Sequence, residues 1–285
     1  MVLKYVVMKK EGLTFDHLLQ ELKSNNKETV KGNYTFKELT LKQQRKILNA
    51  SFDAVEIPAK LANIYSDYIS DSILDNTDII DMSSEVTLET KPFFINELRS
   101  ISLGRTYYEK GEGYELYEVT PEDLIPKAQP KSIAANKFKI NIAVPNLQED
   151  SRYNSLLINA LAPYKKKRNI KDINVGSVTD LYQVYELLKY IVSFEFNGDT
   201  YIFNRYSIQD RIKFINNLAQ VTINEIKEYI KEHVKASEER AMKATSITTG
   251  NSIIADINSL FFSATTSKKE SKDNNDEQED EEGDF

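Results

Sequence analysis

The stretch Asp180-Leu181-Tyr182-Gln183-Val184-Tyr185-Glu186-Leu187-Leu188-Lys189-Tyr190-Ile191, with its continuation from Ser193 to Val234, decides the fold class. Leu181, Val184, Leu187, Leu188 and Ile191 recur at three- and four-residue spacing, which lays an apolar stripe along one helix face. The pattern then changes. Ser193-Phe194-Glu195-Phe196 and Thr200-Tyr201-Ile202-Phe203 flank Asn197-Gly198-Asp199, which predicts a hairpin with glycine at its turn. Ser207 is placed to cap a helix carrying Ile208, Ile212, Ile215 and Leu218, and Thr222 to cap the next, with Ile223, Ile226, Ile230 and Val234. Helices around a hairpin, with no strict strand–helix alternation, predict an α+β fold dominated by helix, with few short strands.

Upstream, Lys137 to Val144 alternates polar and apolar residues and is stopped by Pro145, as a half-buried strand would be. Between residues 75 and 132 the pattern weakens to one short helix around Phe93, Phe94, Ile95 and Leu98, and glycines and prolines predict loop for the remainder. Nearer the N-terminus, Pro58 to Ile73 reads as a helix with Leu61, Ile64, Tyr65, Tyr68 and Ile69 on one face. Thr40 is a candidate cap for a helix through Leu48, and Phe15, Leu18, Leu19 and Leu22 form another stripe. The expected organisation is an N-terminal helical subdomain with an irregular loop region over 1–135, a C-terminal α+β subdomain over 136–263, and a disordered acidic tail over 264–285.

Phe36–Asn49 can be laid on Phe203–Asn216 with three identities and four conservative pairs, among them Thr40/Ser207 and Leu48/Ile215. Two explanations stand side by side. One is an internal duplication; the other is that any short strand, hydroxyl cap and amphipathic helix look alike.

Composition narrows the function classes. Hydrophobic residues make up 40% and charged residues 28%, the balance of a globular chain. There is no cysteine, so disulfides, thiolate catalysis and cysteine zinc sites are excluded. The N-terminal apolar stretch is too interrupted for a signal peptide, and no run approaches the roughly 18 apolar residues of a membrane span, so no membrane association is expected. The net charge is −7, of which nine acidic and three basic residues between Lys268 and Phe285 supply −6, leaving about −1 for the body. Without a basic excess the body is not expected to bind nucleic acid.

The chemistry-bearing motifs are missing from the sequence. There is no phosphate-cradling P-loop, no dinucleotide-binding glycine pattern and no nucleophile elbow. His17 and His233 lie far apart on separate predicted helices, and Glu186 and Glu195 read as an ordinary helix face and strand edge. The expectation is a protein that is not an enzyme, with no cofactor, metal or catalytic residue. Three features are candidates for binding. Lys165-Lys166-Lys167-Arg168 is the one basic cluster, suited to phosphates, to an acidic partner or to the chain's own acidic tail, or simply a solvated loop. Ile253, Ile254, Ile257, Leu260 and Phe261 fall at helical spacing, suited either to the core or to a partner's groove. The last, Phe285, ends a run of acidic residues.

Asp-Leu-Tyr-x-x-Tyr-Glu-Leu-Leu-Lys-Tyr-Ile at 180–191, the hairpin, and Tyr-Ser-Ile-Gln-Asp-Arg-Ile-Lys-Phe-Ile at 206–215 resemble the C-terminal half of baseplate hub subunits of T-even-type contractile-tailed bacteriophages. Leu39 to Ile47 is similar to that family's N-terminal part. The resemblance spans about half the chain and implies a non-enzymatic structural or assembly subunit of the tail baseplate. It implies other tail and baseplate proteins as partners, a place in the virion and host cytoplasm during assembly, and it leaves self-association into an oligomer open. It carries over no functional residues. The tip Glu281-Glu282-Gly283-Asp284-Phe285 resembles the acidic ends of single-stranded-DNA-binding proteins. That alternative implies a replication or recombination accessory with a recruiting tail; a tail-assembly chaperone is the third reading.

Overall fold

The computed structural model describes residues 26–53, 57–73, 82–110, 114–119, 128–165 and 175–257, with positions 15, 22 and 261. The acidic tail and most of the first predicted helix lie outside these residues.

The fold is α+β, with helices and short antiparallel strands interleaved along the chain. A hairpin, β1 (Glu28–Lys31) and β2 (Tyr34–Lys37), leads into α1 (Leu41–Asp53) and α2 (Pro58–Ser72). A single turn, α3 (Met82–Glu85), precedes α4 (Lys91–Leu103) and the hairpin β3 (Thr106–Lys110) and β4 (Tyr114–Val119). A further hairpin, β5 (Lys131–Ala135) and β6 (Phe138–Ile142), is followed by α5 (Leu147–Lys165), α6 (Val175–Leu188), β7 (Ile191–Phe196) and β8 (Asp199–Ile202). After α7 (Ile208–Asn216) and α8 (Gln220–Ile230) the helix widens to π geometry over Lys231–Lys235. It then runs into α9 (Ala236–Ala241), β9 (Lys243–Ser246) and β10 (Ser252–Ile254).

Local chemistry explains the starts and turns. Thr40 Oγ1 accepts from the Gln43 amide at 3.3 Å, and Gln43 Oε1 accepts from the Thr40 amide at 2.8 Å, the reciprocal capping box. Ser207 Oγ accepts from the Asp210 amide at 3.2 Å and caps α7, donating in turn to Asp210 Oδ2 at 2.6 Å. Thr40→Ala and Ser207→Ala are each expected to cost about 1 kcal/mol, read as a lowered urea midpoint at unchanged slope. Asn197 (φ 52°) and Gly198 (φ 90°) both turn left-handed between β7 and β8, as the two-residue hairpin requires.

Among the described residues three antiparallel sheets result: β1-β2, β10-β9-β4-β3 and β5-β6-β7-β8. The second is completed late, because β9 pairs with β4 (Val119 opposite Ala244) only after the chain has built everything between them. In the third, Ile133 and Ile140 are fully buried on one face. Ser132, Asn141, Ser193 and Glu195 form a hydrogen-bonded ladder on the other, with Asn141 donating to Ser193 at 3.0 Å and to Glu195 at 3.1 Å.

Two apolar cores follow among the described residues. The first gathers Phe36, Ile47, Leu61, Tyr65, Ile69, Phe94 and Leu98 with Val119, Met242, Ala244 and Phe261. The second gathers Ile57, Ile133, Ile140, Tyr153, Leu157, Leu188, Tyr190, Phe203, Ile215, Ile226 and Tyr229. α2 serves both: Leu61 and Tyr65 enter the first, Ala59 the second. These cores do not follow the 135/136 division, which falls in the β5–β6 turn, and Ala241, Met242, Ala244, Ala255 and Phe261 rejoin the N-terminal core.

Several expectations are corrected. In the region 75–132 the helix expected around Phe93–Leu98 is present as the 13-residue α4, whereas the β3–β4 hairpin stands where loop was expected. α5, 19 residues long, had no counterpart in the sequence reading. Thr222 is not a cap: Ala219 holds that position and Thr222 is buried inside α8, because the short link from α7 starts α8 earlier. Residues 252–254 form a strand, not part of a helix. Ile253 pairs opposite Ala244, Ile254 points outward and Ala255 inward, the alternation of a strand.

The proposed duplication has a structural echo. β1-β2-α1-α2 and β7-β8-α7-α8 share the order hairpin, capped helix, second helix. Phe36 and Phe203, equivalent in the alignment, are both fully buried.

Candidate functional site

Among the described residues, concave features lie against the second core. The first is a cavity of about 270 Å³ where α2, the start of α4, α5 and α6 meet. Its polar wall is a buried charge cluster. Asp150 Oδ1 accepts from Lys189 Nζ at 3.0 Å, and Oδ2 accepts from Lys91 Nζ and Asn154 Nδ2, both at 3.2 Å. Lys91 also donates to the Ala62 carbonyl at 3.0 Å. Lys189 also pairs with Glu186 at 2.7 Å. Asp150, Lys91 and Lys189 are each at least nine-tenths buried, whereas the Glu186 side chain is about half exposed at 48%. Its other oxygen accepts from Tyr190 OH at 3.4 Å.

The elements set this geometry. Asp150 and Asn154 sit one turn apart on α5, on the same face as the buried Leu147, Leu157 and Leu161. Lys91 opens α4, and Lys189 follows the end of α6, so three separate segments converge on one carboxylate.

Electrostatics follow from burial. Burial disfavours the Asp150 carboxylate, but Lys189 and Lys91 together outweigh it and hold its pKa below the ordinary value. Burial likewise opposes the charge on Lys189; Asp150 and Glu186 overcome it, and its pKa is raised. At Lys91 burial wins over the attraction of Asp150, and the pKa is lowered.

The second feature is a groove of about 550 Å³ at the open end of the second core, between the β5–β6 turn and the α7–α8 link. Phe138, Phe214, Leu218 and Val221 line it, with Asp210 and Lys213 at the same opening. Phe138 and Val221 are exposed, at 37% and 64%. An aromatic array continues from it across the sheet: Phe138 stacks on Phe196 (centroids 4.8 Å), and Phe194 stacks on Tyr201 (5.1 Å) and Phe214 (5.4 Å).

The residues singled out from sequence are placed as follows. Phe261 is buried and packs against Tyr65 at 5.8 Å between centroids, while Ile253 and Ile257 pack half-buried on the first core. Ile254 faces solvent at 54% exposure. Leu260, Phe285, Lys166, Lys167 and Arg168 lie outside the described residues, and Lys165 is placed only as the last residue of α5. His233 packs on Tyr229, its Nδ1 3.7 Å from Glu89; His17 lies outside the described residues. Glu186 lines the cavity, whereas Glu195 belongs to the polar ladder. The sequence reading missed Lys91, Asp150 and Lys189. The available signal was Asp150 itself, a charge at an apolar-stripe position between Leu147 and Leu157.

Among the described residues no group of histidines and carboxylates is arranged to hold a metal ion, and no helix is long and apolar enough to cross a membrane. Comparison with protein-family profiles, with curated proteins and with solved structures finds no match.

Proposed function

We propose that this chain is a non-enzymatic structural or assembly subunit of a phage tail baseplate hub, acting through protein–protein interfaces. The observation that supports this reading best is the aromatic groove between the β5–β6 turn and the α7–α8 link. The 180–191 and 206–215 segments that resemble hub subunits build α6 and α7, and α7 is one wall of that groove. Aromatic anchors exposed around a concavity are the usual centre of a protein interface, and charged residues sit at its rim. Further large apolar side chains face solvent on other elements, including Val30, Leu41 and Ile247.

The test is affinity capture of the tagged chain from cells making the neighbouring gene products, with bound proteins identified by mass spectrometry. Tail and baseplate proteins are expected, free of nuclease-sensitive material. Recovery of polymerase, helicase or nuclease-sensitive complexes would overturn the reading in favour of a DNA-associated accessory. Val221→Glu is expected to abolish capture of those tail proteins while changing stability by no more than about 0.5 kcal/mol, as for other exposed positions. Undiminished capture by this variant would remove the groove from the interface.

A further inference from the structure

The charged cavity beside the second core has no role in the protein–protein reading, and its chemistry is specific. An ammonium group carries three N–H donors. Lys91 uses two, on the Ala62 carbonyl and Asp150, and Lys189 uses two, on Asp150 and Glu186. Among the described residues neither has a third hydrogen-bond acceptor, although Lys189 Nζ also lies 5.8 Å from the centre of the Tyr190 ring, and both lysines line the cavity.

The charges are also unequally buried. Two buried ammonium groups face one buried carboxylate, and the second carboxylate, Glu186, is half in solvent. The formal charges along the wall balance, two against two, but both ammonium groups lie deeper than Glu186 and are less screened by water. An anion entering the cavity meets two charge-assisted donors. The remaining wall, including Tyr153, Leu157 and Tyr185, is largely aromatic and aliphatic. A bare inorganic anion would leave that wall uncovered, whereas an acid with a hydrophobic body covers it. The volume, about 270 Å³, is close to the lower end of small-molecule sites.

We propose that this cavity binds a small organic carboxylate, its oxygens held by Lys91 and Lys189 and its apolar body lying against Tyr153, Leu157 and Tyr185. The site is independent of the groove at the α7–α8 link.

The test is isothermal titration of the full chain with 3-phenylpropionate, 3-phenylpropan-1-ol and inorganic phosphate at pH 7. The acid is expected to bind one per chain, at least about tenfold tighter than either the alcohol or phosphate. Ala62→Leu and Leu157→Phe each fill the space while keeping every charged side chain and the Ala62 carbonyl, and each is expected to weaken the acid by at least about tenfold. No heat with the acid overturns the proposal. Equal binding of the alcohol overturns the role of the lysines, and equal binding of phosphate overturns the apolar body. Acid binding unchanged in both filled variants places it elsewhere on the surface and overturns the site.

Discussion

Asp150→Ala is expected to destabilise the protein by about 3–5 kcal/mol, the usual cost of removing one partner from a buried ion pair. The carboxylate is the common acceptor for Lys91, Lys189 and Asn154, so its loss leaves two ammonium groups buried with little compensation. Three segments lose their shared contact: the start of α4, the middle of α5 and the residue after α6. Urea unfolding followed by circular dichroism checks this, and a loss below about 1 kcal/mol would show that the cluster is solvated and contributes little. The triple replacement Lys91→Met, Asp150→Leu, Lys189→Met is expected to recover most of the loss. Packed apolar side chains avoid the desolvation that the ions require.

The same cluster sets a pH dependence. Asp150 has a pKa lowered on folding, so its contribution is complete above the ordinary carboxylate value, about 4, and declines as pH falls through the lower folded value. Lys189 is shifted upward; its contribution is complete below the ordinary lysine value and declines as pH rises through the higher folded one. Lys91 is shifted downward, so stability rises with pH between its folded value and the ordinary lysine value. The two lysines therefore oppose each other on the alkaline side, and the acid limb is the clean signature. That limb is expected to be shallower in Asp150→Ala than in the parent protein.

Phe261→Ala is expected to cost about 3–5 kcal/mol, the range for removing a buried phenylalanine ring. The ring is 5% exposed and packs on Tyr65, whose hydroxyl donates to the Ile257 carbonyl at 3.1 Å. That segment closes the first core over α2. The outcome separates the two roles open to residues 253–261. A stability loss with no change in partner capture assigns Phe261 to the core; unchanged stability with lost capture assigns it to an interface. Ile254→Ser, on the exposed side of β10, is the companion variant, expected to alter stability by at most about 0.5 kcal/mol.

How much of this was legible in the chain depended on whether the signal was local. The helix ending near Leu188, the Asn197-Gly198 hairpin, the Ser207 and Thr40 caps and the helix beginning at Pro58 all follow from spacing, turn chemistry and capping within a few residues. α5 was missed because Asp150 and Asn154 interrupt its apolar stripe, and those are the residues that build the charged cavity. β9 and β10 were missed because strands of four and three residues contain too few alternations to be read. Ile253, Ile254 and Ile257 fit a helical stripe as well as a strand, and only pairing with β9 decides between them.

The sequence by itself determined the fold class, the absence of cysteine chemistry, the acidity of the last residues and the elements around 180–230, because each rests on covalent composition or on contacts between near neighbours. The tertiary structure alone decided the two cores, the return of Met242, Ala244, Ala255 and Phe261 to the first, the convergence of Lys91, Asp150 and Lys189, and the groove between the β5–β6 turn and the α7–α8 link. These depend on pairing and burial between segments far apart in the chain. The free energy of such a contact belongs to the partner as much as to the residue, so no local window of sequence contains it.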